Sequence, residues 1–262
     1  PPSHGGNRGS IPLSTAEKPL DSRGFLFCMK ALWVESDSRF YGLSRTCFAE
    51  TREPSHTKQQ NEWQFDAFKE TANMRGKYDF YSFFVIPALT LLLAAGDGLT
   101  GTNFSVIGNR EGSRGIFLLW SAAAGNYFYL YGKDLIEYAD CRDKLVRTFL
   151  SAAFLLFLCG TGLPYLPGKV PVLSRLHVWA SFGGPFFLFL CLHRLVWVTE
   201  KREGCRMRGQ KIFQLSVAAV AAALYLWVGI VSSLLEMFVT FSTCVCFADL
   251  QRRLEKIRLS NH

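Results

Sequence analysis

From Phe80 onward, apolar residues run in long blocks separated by short basic loops. The blocks Phe80–Gly96, Ile116–Tyr131, Thr148–Leu166, Leu176–Val198 and Ile212–Ala248 are almost free of charge. A helix on the surface of a soluble domain alternates polar and apolar faces, whereas these blocks are apolar all round and call for lipid or other helices as surroundings. Each is near or above the roughly 17–25 apolar residues that cross a bilayer. Ile212–Ala248 is too long for a single crossing, since ~37 residues at about 1.5 Å each would make a helix of ~55 Å. Gly229, Ser232 and Ser233 mark the turn that divides it, with Ser233 as the expected cap of the next helix and Glu236 in capping-box register. The pattern predicts six spans, approximately 79–97, 115–132, 148–166, 174–198, 211–229 and 232–249.

The fold class expected is therefore all-α: a polytopic transmembrane helical bundle over residues 74–262, preceded by a segment of different character. Loop charge sets its orientation. With six spans and a cytoplasmic start, the inner side collects Arg75, Lys77, Lys133, Arg142, Lys144, Arg147, the Lys201–Lys211 cluster and the Arg252–Arg258 tail. The outer side keeps only Arg110, Arg114, Lys169 and Arg175. Five spans would push the basic tail outside, so six spans are expected, in a cell membrane, with both termini cytoplasmic. Tyr78, Tyr81, Tyr127, Tyr129, Tyr131, Tyr165, Trp179 and Trp197 fall near the proposed interfaces, as an aromatic belt would. The net charge of +8 thus reads as topology and contact with anionic lipid, and no nucleic-acid partner is expected.

Residues 1–73 keep no hydrophobic rhythm, and Pro, Ser, Gly and Arg are scattered through them. The string Gly9-Ser10-Ile11-Pro12 resembles the conserved T-arm of a transfer-RNA gene translated in frame, as occurs at the front of over-extended gene predictions. Met74-Arg75-Gly76-Lys77 resembles a natural start. The segment is read as a spurious extension, with a disordered cytoplasmic tail as the alternative, and no function is assigned to His4, Cys28, Cys47 or His56.

Polar residues at helix ends are the candidates for function, because ionisable groups near the bilayer core are costly. Asp97, Asn103, Asn109, Arg114, His177 and Glu236 are expected to converge on one outward-facing cluster, with Ser105 in the same loop. Within it Asp97 and Glu236 would take a cation or proton, and Arg114 an anionic head group. The bland reading of the same residues is capped turns and interfacial side chains. Asn126 within Ala122-Ala123-Ala124-Gly125 suggests close helix packing, and Gly183-Gly184-Pro185 a kink or close crossing. His193 and Arg194 are expected to snorkel to the inner interface.

No cofactor or metal is expected. The spans offer only His177 and His193, ~24 Å apart along one helix. There is no phosphate-binding Gly-rich loop, no His-Glu-x-x-His and no Gly-x-Ser-x-Gly. The eight cysteines have no zinc-ribbon or redox spacing and read as free thiols. A lipid-modifying enzyme would need an acid–base pair at interface depth, for which the sequence offers Asp97 with His177; an enzyme is the less favoured expectation.

The span layout and the loop Thr102-Asn103-Phe104-Ser105-Val106-Ile107-Gly108-Asn109 resemble a group of uncharacterised six-span inner-membrane proteins of Gram-positive bacteria. The resemblance implies the fold and no activity. The expected function is binding of a membrane lipid, a small solute or a partner helix, including a second copy of the chain, at the outer cluster. A small transporter or channel-like subunit is the alternative.

Overall fold

The computed structural model describes residues 76–95, 98–110, 112–166 and 168–260. The readings of residues 1–73 and of Asp97 lie outside these. The described chain is helical, in the order α1 (Gly76–Ala94), α2 (Phe104–Gly108), α3 (Arg114–Tyr138), α4 (Lys144–Gly162), α5 (Pro171–Glu203), α6 (Arg208–Val228) and α7 (Ser233–Ser260). Among the described residues α1, α4, α5, α6 and α7 are each long and apolar enough to cross a membrane.

Their outer faces fit that reading. Phe84, Leu155, Trp179 and Leu226 are between 60% and 79% exposed. In water such faces would be costly; in hydrocarbon they meet their own kind.

α3 is a further long helix among the described residues and is not one of these five. Its neighbours place it in the bundle. Thr90 and Ser82 of α1 meet Trp120 and Tyr127 of α3, and Tyr78 meets Asp134, so α3 runs antiparallel to α1 along its length. Gly125 and Gly132 face Phe157 and Leu150 of α4 in the same antiparallel sense. α7 runs parallel to α3: Tyr131 meets Phe247 and Gln251, and Tyr138 meets Arg258. α3 therefore runs beside three candidate spans, with Trp120, Ser121, Tyr127 and Tyr131 turned into the bundle. Tyr127, Tyr131, Leu135, Phe247 and Leu250 form the core where α1, α3 and α7 meet.

Two prolines sit inside helices, where each removes a backbone donor and crowds the preceding turn. Before Pro87 the helix widens into a π-turn over Tyr81–Val85, and the Ile86 N–H reaches back to the Tyr81 carbonyl. Pro185 follows Gly183 and Gly184, which do mark a close crossing. A Cβ on Gly183 would lie 2.8 Å from Leu156 Cδ1, and one on Gly160 would lie 3.0 Å from Ser181 Oγ and 3.3 Å from its backbone nitrogen. α4 and α5 thus touch almost backbone to backbone, as small residues allow in membranes.

Three local expectations are corrected. Asn126 is exposed and donates to the Ala122 carbonyl of its own helix at 2.8 Å, so it satisfies itself and Gly125 makes the contact with α4. Arg194 does more than reach the interface: its Nε and Nη2 both donate to Asp143 Oδ2, at 3.0 and 2.8 Å, tying α5 to the start of α4. His193 instead meets Gln214 of α6 at 3.2 Å. Ser233 is not the cap of α7. Ser232 takes that place, with Oγ accepting from the Leu235 N–H at 3.3 Å, while the Ser233 N–H and hydroxyl both donate to the Thr102 carbonyl.

Candidate functional site

At the end of the bundle where α1 finishes and α7 begins, the chain enters α2, a helix of one and a half turns. Asn103 caps it by accepting from the Val106 N–H at 2.8 Å, the Asx capping expected of that residue type. Phe104 and Ile107, three residues apart, turn one face into the bundle, where Phe104 meets Trp120 edge-on at 5.1 Å. Gly108 must lack a side chain, since a Cβ there would run into the Phe117 ring.

Hydrogen bonds fasten the 99–104 segment, which leads into α2, to the start of α7. Ser233 N donates to Thr102 O at 2.7 Å, Leu234 N to Leu99 O at 2.9 Å, and Phe104 N to Glu236 Oε2 at 2.6 Å. Glu236 therefore serves as a fastening for the 99–104 segment. On the far side, Asn109 Nδ2 donates to Tyr165 O at 3.1 Å, joining the end of α2 to the loop between α4 and α5.

His177 completes the group. It lies in the second turn of α5, is 4% exposed, and has polar partners on both ring nitrogens. Nδ1 is 2.9 Å from the Leu163 carbonyl and Nε2 is 2.8 Å from Ser105 Oγ, with Ser181 Oγ at 3.4 Å. A carbonyl only accepts, so Nδ1 carries the hydrogen and Nε2 accepts from the Ser105 hydroxyl. The tautomer thus follows from the partners. Ser105 itself is partly buried.

Beside this group runs an open groove of about 260 Å³, lined by Tyr165, Pro171, Ser174, Arg175, Val178 and Trp179. Tyr165 belongs to both features: its ring centroid lies 5.4 Å from that of His177. Ser174 Oγ accepts from Leu166 N at 3.0 Å and holds the loop that carries Tyr165. Arg175 and Trp179 are exposed, one turn apart on α5.

Of the six candidate residues, the structure gathers Asn103, Asn109, His177 and Glu236 around α2. Arg114 opens α3 as an exposed residue, and none of the hydrogen bonds of this group involves it. The pairing that the sequence hid is His177 with Ser105, 72 residues earlier. The only signal for it was the presence of Ser105 in the polar string between the first two blocks. Among the described residues no group of three His, Cys, Asp or Glu side chains could hold a metal ion.

The opposite half of the bundle also has polar groups that the apolar blocks concealed. Ser82 donates to the Tyr78 carbonyl at 2.9 Å, which leaves its oxygen to accept from Tyr127 at 2.6 Å. The Tyr131 hydroxyl meets Gln251, whose Nε2 donates to Glu255 at 2.7 Å. Gln210 and Gln214 are the buried side chains of α6, four residues apart on the same face. These groups join α1, α3, α6 and α7 by hydrogen bonds within the apolar interior.

No family model, no curated protein and no solved structure matches this chain.

Proposed function

We propose that this chain is a six-span protein of a bacterial cell membrane, of the Gram-positive type, that binds phospholipid head groups at its outer side. Loop charge supports the orientation, with both termini cytoplasmic and the α2 end of the bundle outside. The observation that carries the function is the groove at Tyr165, Arg175 and Trp179. It combines a guanidinium, which suits a phosphate, with two amphipathic rings of the kind that settle at head-group level. Val178 and Pro171 supply an apolar wall for the first acyl carbons.

Retention of lipid by the purified full chain tests this. Native mass spectrometry would count phosphatidylglycerol and phosphatidylcholine molecules carried from mixed micelles. A basic residue near an anionic lipid contributes about 1 kcal/mol, so Arg175→Ala should retain about fivefold less phosphatidylglycerol. Equal retention by the variant and the parent would defeat the reading.

A further inference from the structure

We propose that Ser105 is a nucleophile toward the carboxylic esters of membrane lipids, with His177 as its general base. The inference rests on the lipid-binding reading of the adjoining groove and adds a reaction to it.

The geometry is that of an activated serine. Ser105 Oγ and His177 Nε2 are 2.8 Å apart, within proton-transfer reach. The imidazole is oriented by a third group, the Leu163 carbonyl on Nδ1. That carbonyl sits at the end of α4, where the Leu163 N–H is bonded to Cys159 O and Pro164 follows. A backbone acceptor at a helix end, followed by proline, has little freedom to move, so the tautomer that can accept the serine proton is held in place. His177 is 4% exposed, and Ser105 is the less buried of the two. The base is the more shielded of the two, and the serine lies nearer the surface.

The support beneath Ser105 is rigid. Its neighbours Phe104 and Val106 are bonded through their amides to Glu236 and Asn103, and Thr102 accepts from Ser233. A nucleophile fixed from three sides keeps its reach to the base. Tyr165 links the pair to the groove, since it lines the groove and lies over His177. A phospholipid with its phosphate at Arg175 would bring its ester region to the same depth as these rings.

In the reaction the Ser105 proton passes to His177 Nε2 as Oγ bonds to the ester carbonyl carbon. The bond from that carbon to the alcohol oxygen then breaks, and the alcohol leaves with the proton from Nε2. Water is the second reactant. It gives a proton to Nε2 as it adds to the acyl carbon, the Oγ–carbon bond breaks, and Oγ regains the proton from Nε2. The products are an alcohol and a carboxylic acid. Ser181, on the same helix as His177, lies farther from Nε2 at 3.4 Å and is the internal comparison.

The test is labelling of the purified full chain, in lipid nanodiscs, with a fluorophosphonate probe, the modified serine being located by peptide mass spectrometry. Ser105 should be labelled. His177→Gln should slow that labelling about a hundredfold, the scale of lost general-base assistance. A purely structural hydrogen bond would not make the serine reactive, so an unlabelled Ser105, or one labelled at the same rate in His177→Gln, overturns the proposal. Should His177→Gln fail to fold, the parent decides: Ser105 must react about a hundredfold faster than Ser181. The two readings fail separately. Lipid retention that ignores Arg175→Ala removes the groove reading even where Ser105 reacts, and an inert Ser105 leaves a groove that still binds.

Discussion

Glu236 shows how one side chain near a helix end can hold two parts of a membrane protein together. Its carboxyl accepts from the Phe104 N–H at 2.6 Å, a donor that the first turn of α2 cannot satisfy internally. Glu236→Ala removes the acceptor and leaves that amide unpaired, at a cost of about 1–3 kcal/mol. For a domain of this size the unfolding midpoint should fall by about 2–4 °C per kcal/mol, measured by thermal unfolding in detergent. Glu236→Gln keeps an acceptor and should lose clearly less; equal losses in the two variants would show that accepting this bond is not its role. The sequence marked Glu236 as an acidic residue in a first turn and paired it with Ser233. Its true partner is 132 positions away, which no local rule reaches. Asn103 was legible as a turn residue because its bond is local, to Val106 three residues on. His177 stood out as a rare ionisable group, but its partner Ser105 lay on a different helix.

Between elements, the tightest fit is that of α4 on α5. Gly160→Val would press a branched side chain against the Ser181 backbone, a neighbour that cannot rotate away. Overpacking of this kind costs about 1–3 kcal/mol, so the variant should unfold at lower temperature. Gly162→Ala, which meets nothing within 4 Å, should not. The same pair of helices is joined at the other end by Asp143 and Arg194. Burial works against the Asp143 carboxylate, yet the Arg194 guanidinium and the Leu145 N–H outweigh it and hold the carboxyl below its usual range. A carboxyl with a lower pKa folded than unfolded adds stability that is complete above the unfolded value and is lost as pH falls through the folded one. The stability gap between the parent and Asp143→Asn should therefore be full at pH 7 and close at pH values below about 4. A gap that persists unchanged in acid would mean that charge pairing is not what Asp143 contributes. Gly183-Gly184 was readable as a contact site, because small residues in an apolar block have few other uses. The Arg194 pairing was not, since a basic residue near a helix end looks the same whether it reaches head groups or a carboxylate.

For the whole molecule, the orientation is open to direct measurement. Single cysteines at Ser105, Gly168, Gly204 and Ser260, in a cysteine-free background beginning at Met74, should label from outside at the first two positions. The last two should label only after permeabilisation. Outside labelling at position 260 would mean an odd number of crossings and would separate the basic tail from the cytoplasm. Helical content, the presence of several membrane-crossing helices and the division of Ile212–Ala248 near Gly229 followed from the sequence alone. Hydrocarbon leaves a chain no other way to satisfy its backbone than helices or closed barrels, and uninterrupted apolar blocks of this length leave only helices. The span limits were less certain, because α3, α5 and α7 continue as helices past the apolar blocks into charged turns, where hydropathy no longer reports on the backbone. What only the tertiary structure decided was which polar groups meet. Hydrophobic pattern tells a helix that it must be buried or face lipid, and it acts locally. Whether Ser105 faces His177, or Phe104 faces Glu236, depends on the rotation and depth of helices distant in sequence, set by contacts such as Gly160 on Ser181 and Phe104 on Trp120 that exist only once the bundle is assembled.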